Sequence, residues 1–182
     1  MAFTPKKLSL FDQIDLRILD ILQTQGRRHL ADIAKEVELS SPAVMERVKK
    51  LEAHGIIKGY QAVIDAKKLG KDITAFIGVS VSHQRYIDNF AAYIGRQRDV
   101  LECHHVTGEE SFLLKVKTEN TESLEKLLGE IRSVEGVTRT VTKVVLSSVK
   151  ESQKFELDNG VAESVKKLSE RKKESKAAED SK

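Results

Sequence analysis

Residues 40–54 read SSPAVMERVKKLEAH, and the reading of this stretch decides the fold of the first part of the chain. The spacing predicts a helix. Ser41 supplies an N-cap oxygen, and Pro42 fits the first helical position, where a missing N–H costs nothing. Val44, Val48 and Leu51 recur at i, i+4 and i+7, so one stripe faces inward. The other face carries Met45, Glu46, Arg47, Lys49 and Lys50, and Glu46 can pair with Lys50 across one turn. Gly55 stops the helix. Taken alone, this is also the pattern of an ordinary amphipathic surface helix with solvated charges.

The residues before it separate the two readings. A short helix is expected over 30–37, with Leu30, Ile33, Ala34 and Val37 inside. Glu38-Leu39-Ser40 is a three-residue turn, and the longer capped helix follows. Short helix, brief turn with a buried Leu39, second helix: this is the helix-turn-helix pattern, and residues 40–54 are its recognition helix. Ala34 sits where the two helices cross closely. Glu38 stands where many such turns have glycine, at a cost of roughly 1 kcal/mol if the left-handed backbone is kept. Upstream, Asp12 caps a helix over 12–25 with a stripe of Ile14, Ile18, Leu19, Ile21 and Leu22, and Gly26 ends it. Residues 3–8 read as a loose basic arm. Downstream, IIKGYQAVID (56–65) reads as a strand that leads into a linker over 66–71.

The chain has 182 residues, 40% hydrophobic and 32% charged, which suits a soluble globular protein of one or two domains. Net charge is only +3, so bulk charge does not announce a nucleic-acid partner. Residues 1–70 hold 12 Lys and Arg against 9 Asp and Glu. That modest excess serves DNA only if Arg27, Arg28, Arg47, Lys49, Lys50 and Lys58 share a face. Cys103 is alone and cannot form an internal disulfide, which suits a reducing cytoplasm. No secretory h-region and no run long enough to span a bilayer is apparent, so no membrane partner is expected.

From residue 73 the period changes. Over 73–82, Ala75, Ile77, Val79 and Val81 alternate with Thr74, Phe76, Gly78 and Ser80, as in a strand. Residues 86–96 return to helical spacing through Ile87, Phe90, Ala91 and Ile94. Strands follow over 100–106 and 112–117, joined by a turn at Gly108-Glu109-Glu110. A helix over 121–132 buries Leu124, Leu127, Leu128 and Ile131, and 137–149 is a last strand. The order strand, helix, strand, strand, helix, strand predicts a ferredoxin-like sheet with both helices on one face. The last strand carries apolar groups on both faces, so a homodimer through this domain is expected. The fold class is therefore α+β, with a helix-turn-helix domain over 1–65, a linker over 66–71, a ferredoxin-like domain over 72–157 and a charged, disordered tail over 158–182.

Four stretches together resemble the Lrp/AsnC family of transcription regulators. FDQIDLRILDILQTQGR is similar to its opening helix. LADIAKEVELS with AVMERVKKLEAHGIIKGYQAVID is similar to its helix-turn-helix and connecting strand. VLECHHVTGEESFLLKV resembles its central hairpin, and GVTRTVTKVVLSSVKE its last strand. The resemblance covers residues 10–157. It implies a winged helix-turn-helix domain, a ligand-sensing domain, and dimers that commonly build octamers. It also implies an amino-acid or other small effector held near the loop after the second strand, which here offers Thr107, Gly108, Glu109 and Ser111. Ser111 stands where the family commonly has an aspartate able to receive an ammonium, a task a hydroxyl does less well.

No catalytic constellation is expected. Cys103, His104 and His105 are neighbours in a strand and point alternately to opposite faces. A Cys103–His105 pair offers too few ligands for a structural zinc site, and neither a metal nor a cofactor is predicted. On double-stranded DNA, Ser40 or Ser41 and the helix N-terminus would contact phosphate. Pro42, Ala43, Met45 and Glu46 would approach base edges, with Ala43 and Met45 suited to thymine methyls and Glu46 to cytosine. Arg47, Lys49 and Lys50 would reach phosphate or guanine. The expected function is sequence-specific transcription regulation. The alternative is a small-molecule sensor or protein-interaction module without specific DNA binding.

Overall fold

The computed structural model describes residues 11–157. The expected basic arm and charged tail lie outside them. The chain forms two compact units, one of residues 11–62 with 152–157, the other Val63–Glu151.

The first unit is three helices: α1 (Gln13–Thr24), α2 (Leu30–Glu36) and α3 (Ser41–Ala53). Their apolar stripes meet in one core of Ile18, Ile21, Ile33, Ala34, Val44, Val48 and Leu51. Asp12 caps α1 through a reciprocal box, accepting from the Asp15 N–H while the Asp15 carboxylate accepts from the Asp12 N–H, each at 3.0 Å. Between α2 and α3, Glu38 takes a left-handed backbone at φ 55°, the only non-glycine to do so among the described residues. The turn is closed by the Leu39 N–H donating to the Ala34 carbonyl at 2.9 Å. Leu39 then packs on the core.

Both ends of α3 are fixed by backbone chemistry. Ser40, not Ser41, is the N-cap, and its hydroxyl accepts from the Ala43 N–H at 3.4 Å. Ser41 and Pro42 are thus the first two helical residues, and proline is tolerated at either because both N–H groups lie in the unbonded first turn. At the other end Gly55 adopts φ 69°. The Gly55 N–H donates to the Glu52 carbonyl and the Ile56 N–H to that of Leu51, a Schellman closure.

Residues 56–65 form no strand, and no strand is present among the described residues of this unit. The alternation that suggested one is real. However, a strand needs a hydrogen-bonding partner, and none lies within the described residues. Val63 and Ile64 are exposed as a result. The expected wing is therefore missing from this unit as described. Residues 152–157 return to α1 instead. Lys154 meets Asp20 at 2.9 Å and donates to the Thr24 hydroxyl at 3.0 Å. Gln23 and the Phe155 backbone exchange two hydrogen bonds of 3.2 Å.

The second unit is a four-stranded antiparallel sheet in the order β2-β3-β1-β4, with β1 Ile73–Val81, β2 Val100–His105, β3 Phe112–Thr118 and β4 Val137–Val144. α4 (Ile87–Ile94) and α5 (Thr121–Arg132) are the crossovers. Ala75, Ile77 and Val79 of β1 bury against Phe90, Ile94, Leu124, Leu127 and Ile131, as the alternation predicts. The other face of the sheet follows from register, with Phe76 opposite Lys115 and Lys143, and Gly78 opposite Leu113 and Val141. β4 ends at Val144, short of the expected 149, and beyond it Leu146 and Val149 are almost fully exposed.

The turn at Glu38 yields a first prediction. Glycine removes the left-handed penalty but adds unfolded-state entropy, and the first effect is the larger. Glu38→Gly is expected to raise unfolding stability by up to about 1 kcal/mol, as read by urea titration.

Candidate nucleic-acid interface and effector loop

The face that α3 turns to solvent is narrower than its sequence suggested. Val44, Val48 and Leu51 are buried, while Ser41, Pro42, Met45, Glu46 and Lys49 are exposed and Ala43 and Lys50 are half-buried at the flanks. Lys50 places its ammonium 5.6 Å from the Phe11 ring centre. These residues present one amphipathic surface with an apolar Met45, an acceptor in Glu46 and a cation in Lys49. At the helix N-terminus Ser40 spends its hydroxyl on the cap, and Pro42 has no N–H to offer.

Arg47 does not join this face. Its Nη1 donates to both carboxylate oxygens of Asp12 and to Asp15 Oδ1, all at 2.8 Å. Its place on the helix explains this, since it lies one turn from both Val44 and Leu51, at the edge of the buried stripe. Asp15 is 1% exposed and would be an unpaired buried charge without the guanidinium. The sequence carried half of the signal: Asp15 lies three and seven residues before Ile18 and Leu22, a carboxylate set among the apolar positions of α1, but nothing local names its partner. Arg28 is also engaged, with Glu36 at 3.1 Å, and Glu36 takes Arg17 at 2.8 Å. Of the six cations expected on one face, Arg27, Lys49 and Lys58 stand exposed.

Beside α3 lies a cavity of about 300 Å³ bordered by Leu22, Met45, Val48, Lys49, Glu52 and Tyr60. The Tyr60 hydroxyl donates to Glu52 at 3.0 Å. Burial, then the Glu52 carboxylate, push this phenol up to about 12, so it stays a donor. It holds the segment after α3 against the helices.

The loop between β2 and β3 is tied to the end of β1. The Ser111 N–H donates to the Val79 carbonyl at 2.8 Å, and the Ser111 hydroxyl accepts from the Val81 N–H at 3.1 Å. This second bond sits where the β1–β4 register shifts between Ser80 and Val81. The Val81 N–H lies just past the last β1–β3 pair, Val79 with Phe112, and the Ser111 hydroxyl satisfies it. Ser80 donates to the Glu109 carbonyl at 3.1 Å, and the Glu109 carboxylate lies 3.6 Å from Arg139. The Glu110 side chain covers Gly78 so closely that a β-carbon there would stand 2.6 Å from its Cγ. Thr107 and Gly108 are exposed at the tip, Gly108 at φ 125°. Glu110 was expected in the turn but not against Gly78, and Arg139 was not expected at this loop. Their nearness follows from strand register, which no local pattern announces.

Cys103 and His105 lie along the β2 edge, and burial pushes the Cys103 thiol up, away from the reactive thiolate. Among the described residues no group of three or more His, Cys, Asp or Glu is placed to hold a metal.

Asp12 and Ser111 can each be tested through these contacts. At Asp12 burial raises the carboxyl pKa, but the Asp15 N–H and the Arg47 guanidinium outweigh it and hold the group below its ordinary value. Such a group stabilises the fold fully above the unfolded value near 3.9, and the contribution is lost as pH falls through the folded pKa. Asp12→Asn should therefore flatten the loss of stability below about pH 4 in urea unfolding curves. Ser111→Ala strands the Val81 N–H and is expected to cost about 1–2 kcal/mol in the same measurement.

The comparisons with known proteins agree on both units. The AsnC-type helix-turn-helix model matches residues 11–52, and the Lrp/AsnC ligand binding domain model matches residues 74–155. An HTH-type transcriptional regulator FL11 of Pyrococcus horikoshii is 36% identical over 141 residues, covering 78% of this chain and 93% of that protein. The leucine-responsive regulatory protein of Salmonella typhimurium is 34% identical over 147 residues, covering 79% and 90%. Among solved structures, a Neisseria meningitidis transcriptional regulator in complex with L-Met superposes with a TM-score of 0.79 at 29% identity, over 83% of this chain and 99% of that one. E. coli AsnC superposes at 0.73 with 27% identity, over 79% and 97%. With helix-turn-helix and ligand-binding unit both matched in their order along the chain, this protein belongs to the Lrp/AsnC family of HTH-type transcriptional regulators.

Proposed function

We propose that this regulator reads DNA with the solvent face of α3 and is modulated by a small effector at the β2–β3 loop. The observation that carries the DNA reading is the division of α3. Val44, Val48 and Leu51 lock one side into the core, while Pro42, Met45, Glu46 and Lys49 stand exposed on the other. Met45 and Ala43 suit thymine methyls, Glu46 accepts from cytosine, and Lys49 and Lys50 meet phosphate or guanine. Ser41 at the helix N-terminus approaches phosphate, with Ser40 holding the cap beside it. In a symmetric dimer two such helices reach successive major grooves, roughly 34 Å apart, and call for a pseudo-palindromic site.

The effector reading rests on Thr107, Gly108 and Glu109 at the open loop tip, and on the L-Met bound by the Neisseria relative. Ser111 is occupied with Val81, so an incoming ammonium has the Glu109 carboxylate or the Thr107 hydroxyl as its acceptor. The apolar outer sheet residues Phe76, Leu113 and Val141 favour a homodimer through this unit, with assembly beyond the dimer in the manner of the family. No helix among the described residues is long and apolar enough to cross a membrane. We place the protein in the cytoplasm, where its DNA is. Residues 66–71, proposed as a linker, carry the 3-10 turn Lys67–Leu69 and fall within the second unit, where Lys71 meets Asp99 at 2.9 Å.

The test is titration of the full-length protein against its own upstream DNA at two salt concentrations, with and without a pool of amino acids. Binding that outlasts nonspecific competitor and weakens with salt is expected, with a shift in affinity when amino acids are added. Equal binding to upstream and unrelated DNA would remove the specific-regulator reading. An unchanged affinity with amino acids would remove the amino-acid effector.

A further inference from the structure

The chemistry of Arg47 points away from DNA. Its guanidinium faces two carboxylates at 2.8 Å, so the cluster of Asp12, Asp15 and Arg47 carries one excess negative charge. Such a cluster repels a phosphate. Its side chain is 28% exposed and that of Asp15 only 2%. The arginine could reach outward only by leaving a buried carboxylate without a partner, which is strongly unfavourable.

We infer that Arg47 is a positioning residue for DNA recognition: by binding the first turn of α1 it sets where α3 lies along and about its own axis, and so where Met45, Glu46 and Lys49 point. This rests on the reading of α3 as the recognition helix. Apolar packing alone leaves that setting loose, because Val44, Val48 and Leu51 are smooth aliphatic groups that tolerate small slides. The charged contact does not. Three short hydrogen bonds converge on one nitrogen, and the same two carboxylates close the capping box of α1. A shift of Arg47 therefore strains or breaks its contacts with the first turn of α1. It is also well placed on α3, one residue after Glu46 and two before Lys49. Base-edge hydrogen bonds lose their strength within a few tenths of an ångström, roughly from 3.0 to 3.5 Å. A slide of about 1 Å, less than the rise of one residue, is enough to lose them.

The discriminating variant is Asp15→Asn, which leaves Arg47 present and releases part of its charge. Affinity of the full chain is measured on its upstream fragment and on a scrambled fragment, across several salt concentrations, with thermal melts to confirm folding. The expected result is a loss of roughly tenfold in the ratio of specific to scrambled binding, with the salt slope of the wild type retained. The pair Asp15→Asn with Arg47→Gln removes both charges together and avoids an unpaired buried ion, so it folds where Arg47→Gln alone fails. It should lose the same ratio and keep the same slope. Arg47→Lys, which keeps the charge on a shorter side chain that reaches both carboxylates less well, should keep only part of the ratio. Lys49→Gln is the comparator on the DNA face, and its slope should fall by about one. Arg47 is a direct DNA contact, and the inference is overturned, if Asp15→Asn binds as well as or better than wild type while the double variant loses about one unit of slope. If the wild type itself does not distinguish the two fragments, the recognition-helix reading falls, and this inference with it.

Discussion

A carboxylate removed from water needs a cation, and in the first unit that single requirement connects all the parts that matter. Asp15 is the one buried acid of the described residues. Its partner is Arg47 on α3, and its neighbour Asp12 is the cap of α1. The N-terminus of one helix and the middle of another are thereby held by one group of charges. The apolar core beneath supplies most of the favourable free energy of the unit, since burial of aliphatic surface is the main driving force of folding. It does not by itself choose one arrangement of the helices. The division of labour is therefore clear: aliphatic residues hold α3 in the protein, and a polar contact decides how it is presented.

The second unit solves a different problem. Its central strand β1 is hydrogen-bonded on both sides and buried on one face, and it must also end cleanly where the loop from β2 arrives. The hydroxyl of Ser111 achieves this by accepting from the Val81 N–H, just past the last pair of β1 with β3. A residue whose position suggests ligand contact is thus used to finish a sheet. The loop tip stays open, while its base is fixed by backbone hydrogen bonds to β1.

Much of this was legible in the sequence, because periodicity reports which side of an element is buried. The stripe of Val44, Val48 and Leu51, the alternation through Ala75, Ile77 and Val79, and the left-handed Glu38 all follow from local rules. What was not legible depends on partners distant in the chain. Arg47 looks like any surface cation until Asp15, 32 residues earlier, is placed against it. Residues 56–65 have the alternation of a strand, but alternation says nothing about whether a second strand is available. The cap fell on Ser40 rather than Ser41 because two adjacent serines compete for one role, and the difference is a single residue of helix start. Glu110 lies on Gly78 because strand register brings them together, which no short-range pattern encodes.

The return of residues 152–157 to α1 has a consequence for the order in which the chain is made. Gln23 and Phe155 are 132 residues apart, so the first unit cannot be finished until almost all of the described chain has been synthesised. Its three helices are ready long before, since their contacts are local. Meanwhile Asp20, Gln23 and Thr24 remain in water, where polar groups wait at little cost. Closing so long a loop from an unfolded chain is entropically unfavourable. The intervening sheet removes most of that cost, because it brings Val145 within 2.9 Å of Thr74 and leaves only short segments to close. The contacts of residues 152–157 with α1 are accordingly the last part of the first unit to become available.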